Sequence, residues 1–303
     1  MRNKTFLLLL VLVGLTLTAA CQRSKKRVIA VIPKGTAHLF WVSVHEGADD
    51  AGKQFGVDIL WNGPAVETDF GRQLEILDSM INRRVDGIVV AASDKKVLNQ
   101  SLKRAKELGI PVTVFDSGVD SDDYVSFVAT NNFEAGQMGA RKLAELLNGK
   151  GKIAIVMNAP GSASTMDRER GFTETIEKEF PGISIVGTQF GMSDRAKAMA
   201  VAENLLTAHP DLNGMFSSSE PMTVGTSQAL KAHGMAGKIK FVGFDSSEGL
   251  IDDMKAGVID ALVVQDPHKI GFEAVKTIVD KLNGKTPPHR MDLGAKVITK
   301  ANT

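Results

Sequence analysis

Val28-Ile29-Ala30-Val31-Ile32 is an apolar, largely β-branched run with no polar residue interleaved. A strand with one wet face alternates apolar and polar residues, so an unbroken run marks a strand covered on both faces, as in a parallel sheet between helices. Gly87-Ile88-Val89-Val90-Ala91 and Pro111-Val112-Thr113-Val114-Phe115 have the same character. Between them Phe70, Leu74, Leu77 and Ile81, and then Leu98, Leu102 and Ala105, recur at helical spacing. They are the core-facing stripes of crossover helices. Strand and helix in strict alternation give a doubly wound α/β unit.

The alternation restarts after Val125-Ser126-Phe127-Val128-Ala129, with strands expected near 152–157, 183–188, 214–217, 239–244 and 261–264 and helices near 132–148, 163–180, 193–209, 221–233 and 248–256. Gly234 and Gly257 stand where glycines end helices. No long flexible linker separates the two series, so the chain reads as two similar doubly wound lobes joined by a multi-strand hinge. The first lobe takes 28–130 and 266–294, and the second takes 131–265 and 295–303. The helix expected at 267–283 returns to the first lobe, and a final crossing near 293–295 puts the C-terminus on the second.

Ahead of this array, Arg2 and Lys4 precede the uncharged stretch Thr5 to Ala20, which closes on Thr18-Ala19-Ala20-Cys21. The stretch is shorter than the roughly 20 apolar residues of a membrane span and ends on small residues, so it reads as a secretion signal. Its end resembles a bacterial lipobox, which implies cleavage after residue 20, lipidation of Cys21 and a membrane anchor; residues 21–27 then form a lipidated cysteine and polar tether. Cys21 is the only cysteine, which excludes an internal disulfide and any thiolate metal cluster. A net charge of +1, from 36 basic and 35 acidic residues, gives no footprint for nucleic acid.

In open α/β sheets ligands bind beyond the carboxyl ends of the strands, so the residue after each strand is informative. Lys34, Asp116, Ser218, Ser219, Asp245 and Gln265 occupy those places. Burying unpaired carboxylates is costly, and a ligand's hydroxyls together with an arginine would offset it. Phe40 and Trp41 open the helix after the first strand. Aromatics there suit the apolar face of a sugar ring or the core, and the pattern does not say which of the two does which. Arg168 and Arg170 are both candidates for a bidentate contact, but residues two apart on a helix do not share a face.

Read in order, these residues resemble the ribose-type periplasmic binding proteins, the type I sugar-binding family of ABC importers. The resemblance runs through Phe40-Trp41-Val42-Ser43-Val44-His45-Glu46-Gly47-Ala48, Asp86-Gly87-Ile88-Val89-Val90, Gly109-Ile110-Pro111-Val112, Arg168-Glu169-Arg170-Gly171-Phe172, Leu205-Leu206-Thr207-Ala208-His209-Pro210-Asp211 and Val242-Gly243-Phe244-Asp245. It implies an aromatic clamp at Phe40 and Trp41, carboxylates at Asp116 and Asp245, the sugar-binding arginine at Arg168 and an amide at Gln265. His38 stands where the family has an asparagine, Ser117 replaces an arginine, and Ser219 replaces a second asparagine. The implied protein is a monomer that binds a small sugar without a cofactor, is not an enzyme and passes its ligand to an ABC transporter permease.

Ile32-Pro33-Lys34 and Thr188-Gln189-Phe190-Gly191 resemble the autoinducer-2 binding proteins of the same fold, which implies ligand contacts at Lys34, Asp116 and Asp167. A signal-binding or receptor subunit is therefore the alternative reading. An enzyme is disfavoured: no Gly-x-Ser-x-Gly elbow or His-x-x-x-His pair is present, and Gly284-Lys285-Thr286 lacks the upstream glycine of a phosphate loop. A transcription regulator of this fold would begin with a DNA-binding headpiece, where this chain has a secretion signal.

Overall fold

The computed structural model describes residues 26–303, so Cys21 and its neighbours lie outside the described residues. The first series is β1 (Val28–Ile32), α1 (Leu39–Phe55), β2 (Asp58–Trp61), α2 (Phe70–Asn82), β3 (Gly87–Val90), α3 (Asn99–Glu107), β4 (Val112–Phe115) and β5 (Ser126–Thr130). The second is α4 (Asn132–Leu146), β6 (Gly151–Met157), α5 (Ala163–Glu179), β7 (Ile183–Phe190), α6 (Arg195–Ala208), β8 (Gly214–Ser217), α7 (Glu220–Ala232), β9 (Lys240–Phe244), α8 (Glu248–Lys255) and β10 (Ala261–Val264). The chain closes with α9 (Pro267–Leu282), β11 (Arg290–Leu293) and β12 (Lys296–Thr299). Side chains of Asp69, Asn131, Asp194, Ser247 and Asp266 accept bonds from backbone N–H groups in the first turns of their helices. These bonds satisfy donors that a helix start leaves open.

Two six-stranded sheets result, ordered β11-β5-β4-β3-β1-β2 and β12-β10-β9-β8-β6-β7. Strand for strand the winding is the same. Along β1, Ile29 and Val31 join the core under α1 and α9, whereas Ala30 and Ile32 join the core under α2 and α3. This two-sided burial is why the run carries no polar alternation. The second lobe repeats the arrangement, with α4 and α5 on one face and α6, α7 and α8 on the other. Gly234 and Gly257 follow α7 and α8 at φ of 62° and 79°, the left-handed turn expected of them.

In each lobe one helix pair crosses at glycine. A Cβ on Gly47 of α1 would lie 1.9 Å from His268 O of α9, and one on Gly271 of α9 would lie 2.1 Å from Val44 O. In the second lobe Gly136 of α4 meets Arg168 O of α5 in the same way at 2.0 Å, and Gly171 meets Phe133 O at 2.1 Å. Helix backbones approach this closely only where no side chain intervenes.

The chain passes between sheets after β5, after β10 and between β11 and β12. One detail differs from expectation: β12 runs antiparallel to β10 within sheets expected to be parallel. The reason is geometric: β11, parallel to β5, ends at the cleft, and a chain that enters the facing sheet from its cleft edge must run away from it. No crossover helix is involved there, so the parallel rule does not apply.

Candidate ligand-binding cleft

The carboxyl ends of both sheets face each other across a narrow cavity, whose empty volume of about 310 Å³ includes the solvent at its mouth. Lys34, His38, Phe40, Trp41 and Asp116 line it from the first lobe, and Arg168, Ser219, Asp245 and Gln265 from the second. The rule of reading the residue after each strand therefore lands on its wall.

Asp116 and Asp245 occupy equivalent places. Each follows a strand, each adopts a left-handed φ (55° and 65°), and each donates its N–H to the neighbouring strand, to Val128 O at 2.9 Å and Val263 O at 2.8 Å. Aspartate tolerates this region better than most residues, and such strain is retained where a side chain must be aimed. Asp116 Oδ2 lies 3.3 Å from Lys34 Nζ. Asp245 accepts bonds from Gln265 Nε2 (2.7 Å) and from the Glu220 backbone N–H (3.2 Å). Burial pushes the Asp245 carboxyl above its usual range despite the opposing pull of Arg168.

Arg168 is 3 % exposed, donates from Nε to Asn132 Oδ1 (2.8 Å) and from a terminal nitrogen to Ser218 O (3.1 Å), and lies 3.9 Å from the centre of the Phe244 ring. Arg170 points to solvent and pairs with Asp167 at 3.0 Å and Glu174 at 3.6 Å. Of the two arginines, Arg168 lines the cavity and Arg170 does not. Asp167 is half-exposed and does not line the cavity, because turning Arg168 inward rotates its neighbour by about 100° away.

Trp41 is 2 % exposed and packs edge-on against Phe40 and Phe115, with centroids 4.9 and 6.1 Å away; Phe40 is half-buried. Trp41 is thus both core and wall. Its Nε1 donates to Glu67 Oε1 at 2.8 Å, and His38 Nδ1 lies 3.2 Å from the same oxygen. The other Glu67 oxygen accepts from Ser193 Oγ of the second lobe at 2.8 Å. Burial alone would raise the Glu67 pKa; Lys34 and the bonds from His38 and Trp41 outweigh it and hold the carboxyl well below the usual range. His38 shows the reverse balance: burial lowers its pKa, but the bond to Glu67 leaves it raised.

Further bonds cross the cleft. Lys34 Nζ reaches Ser162 Oγ (3.3 Å) and Ser164 Oγ (3.2 Å), and the Lys95 N–H donates to Gly161 O (3.0 Å). The two lobes are therefore closed on each other. Three buried acceptor atoms on the wall make no hydrogen bond: Asp116 Oδ2, which has only its ion pair with Lys34, and Glu220 Oε2 and Gln265 Oε1. A buried acceptor left unsatisfied costs about 1–3 kcal/mol, so the wall is built for a ligand rich in donors.

Glu67, Asn158, Thr165, Glu220 and Pro221 also line the cavity and were not singled out from the sequence. Asn158 follows β6, so the strand-end rule would have found it. Glu220 directly follows Ser219, and Glu67 lies in the loop after β2, a strand without clear bounds in the sequence.

Beneath the wall, Glu169 Oε1 accepts from the Asn158 N–H (2.8 Å) and Ser218 Oγ (2.7 Å), while its other oxygen has no partner. Burial pushes this carboxyl up to about 7, against the bonds from Asn158 and Ser218 and the charge of Arg168. A raised carboxyl pKa means that the folded state holds its proton more tightly than the unfolded one. Stability is then lost as pH climbs from the ordinary value of 4.5 through about 7. Glu169→Gln is expected to be more stable than wild type at about pH 8, by about 3 kcal/mol, with the gap closing below the ordinary carboxylate range. Thermal unfolding of both proteins across that range tests this. A pH-independent gap would assign the titration elsewhere.

Two equivalent α/β lobes, hinged by short strands and closed on a polar cavity, define a bilobal binding protein. Residues 29–286 match the model of the periplasmic binding protein domain, and the chain belongs to that family. It is 31 % identical over 286 residues to the D-allose-binding periplasmic protein of Escherichia coli, covering 91 % of each chain. Identity to the ribose import binding protein of Bacillus subtilis is 27 % over 246 residues, 81 % of this chain and 78 % of that one. Among solved structures, a carbohydrate transporter solute-binding protein of Agrobacterium radiobacter in complex with D-arabinose superposes with a TM-score of 0.90 at 31 % identity, covering 92 % of this chain and 96 % of the other.

Proposed function

We propose that the protein captures one monosaccharide in the interlobe cleft and delivers it to the permease of an ABC importer. The observation that carries this reading is the wall itself, where buried acceptors from both lobes await donors beside Arg168 and Lys34. A sugar ring supplies several hydroxyl donors and an apolar face for Phe40 and Trp41. An anionic ligand is opposed by Glu67, Asp116, Glu220 and Asp245, and the cavity is too small for an oligosaccharide. The contacts assigned are Lys34, His38, Phe40, Trp41, Asp116, Arg168, Ser219, Asp245 and Gln265. Autoinducer-2 shares the hydroxylated ring chemistry, but the relatives above are named for sugars, which favours import over signalling.

The binding cycle is a closure. The cross-cleft bonds break to admit the sugar and re-form around it, with contacts from both lobes supplying the differential affinity that closure needs. Calorimetry against D-allose, D-ribose and D-arabinose tests the ligand class, and absence of binding by all three and by other pentoses and hexoses would remove it. Trp41 emission is expected to change on binding, and the change to shrink strongly in Trp41→Phe, because Trp61 stacks on His45, 4.3 Å away, outside the cavity. An equal response in the variant would place the moving fluorophore at Trp61.

Cleavage after residue 20, lipidation of Cys21 and a tether at 22–27 would hold a monomeric protein in the periplasm or at the cell surface, anchored to the membrane. Cys21→Ala is expected to move nearly all of it to the soluble fraction. Mass spectrometry finding an unmodified Cys21 in the mature wild type would exclude the anchor.

A further inference from the structure

We propose that Glu220, held by Arg195, is a specificity-determining contact that accepts a hydrogen bond from one particular sugar hydroxyl. The inference rests on the monosaccharide reading above and extends it to a residue outside the assigned contacts. Glu220 is the first residue of α7, only 1 % exposed, and lines the cavity. Its Oε1 is paired with an Arg195 terminal nitrogen at 2.5 Å, while Oε2 has no partner. Its backbone N–H is bonded to Asp245 Oδ2, so its position is tied to a central carboxylate of the site.

A purely structural role explains this poorly. A helix N-terminus favours an acid by at most about 2 kcal/mol, and a partner such as Arg195, whose side chain is 42 % accessible, gives back little of the cost of burying a carboxylate. Burial accordingly pushes the Glu220 carboxyl up, with Arg195 and His38 opposing it. Ser219, the residue before it, is short and lies 3.0 Å from the Asn158 side-chain oxygen, so Glu220 is the longer polar arm at this point of the wall. A carboxylate oxygen only accepts, so it selects a ligand with a hydroxyl at that point. It discriminates against the deoxy analogue and repels a carboxylate there.

The test is calorimetry of wild type, Glu220→Gln and Asp245→Asn with D-allose, D-ribose, D-arabinose and D-galactose, each beside its monodeoxy analogues, including D-fucose as the 6-deoxy partner of D-galactose. Glu220→Gln is expected to bind the best sugar about 10-fold or more weakly. Against one deoxy analogue alone it should match wild type, and the sugar-free variant should melt at or above the wild-type temperature. An equal loss for every analogue, an unchanged affinity for the parent sugar, or a lower melting temperature without sugar would overturn the proposal. If Asp245→Asn also binds every sugar as wild type does, the site assignment itself fails. If no sugar binds wild type, the monosaccharide reading falls and this inference with it.

Discussion

Asp245→Asn is expected to weaken monosaccharide binding about 30-fold or more, while the sugar-free protein melts no lower than wild type. Asparagine also accepts the left-handed backbone that Asp245 adopts at φ 65°, so the strand end keeps its shape. The new NH₂ can stand opposite Gln265, whose amide turns its unpartnered Oε1 to accept from it, while the asparagine oxygen keeps the bond from the Glu220 N–H. A sugar hydroxyl then loses a charged acceptor. Without sugar the exchange is cheap, because burial already disfavours the ionised form. Calorimetry and thermal unfolding on the same preparation separate the two effects. Unchanged affinity would remove Asp245 from the site.

Gly136→Ala is the second large effect. Its methyl group would sit 2.0 Å from Arg168 O, a backbone atom with no rotamer to yield, so α4 and α5 must separate. Overpacking of this kind costs about 1–3 kcal/mol, and a lower melting temperature follows. The consequence specific to function is that Arg168 lies on α5 while its partner Asn132 lies on α4, so separation lengthens their 2.8 Å bond. Affinity measured well below the melting transition is therefore expected to fall about 10-fold, as for loss of one charged hydrogen bond. If stability falls but affinity per folded molecule does not, the glycine contact serves packing only.

The buried strands were legible because two-sided burial leaves no polar alternation to misread, as at Val28–Ile32 and Gly214–Ser217. The edges were not. Arg290–Leu293 and Lys296–Thr299 are short, mixed in polarity and paired on one side only, so neither composition nor period marks them. At the site, strand-end position located Asp116, Asp245 and Gln265. Glu67 escaped because it reaches the cavity from a loop, and its role depends on Trp41 and Ser193, far from it in sequence. Asp167 shows the opposite case: it stands beside Arg168 on α5, and with Arg168 facing inward the helix turns it toward Arg170 and off the cavity wall.

Three of the residues that fasten the lobes together lie outside the cavity wall. Ser162, Ser164 and Ser193 bond across the cleft to Lys34 and Glu67, yet none of the three lines the cavity. Apparent affinity is the intrinsic affinity scaled by the fraction of molecules already in the competent form. Changes at these serines are therefore expected to rescale the response to every sugar through the closed fraction, with any change in ranking arising only through Lys34 and Glu67. Such positions would give the fold a gain control beside its selectivity, through which a lineage can match the same recognition to scarce or abundant nutrient without redrawing the pocket.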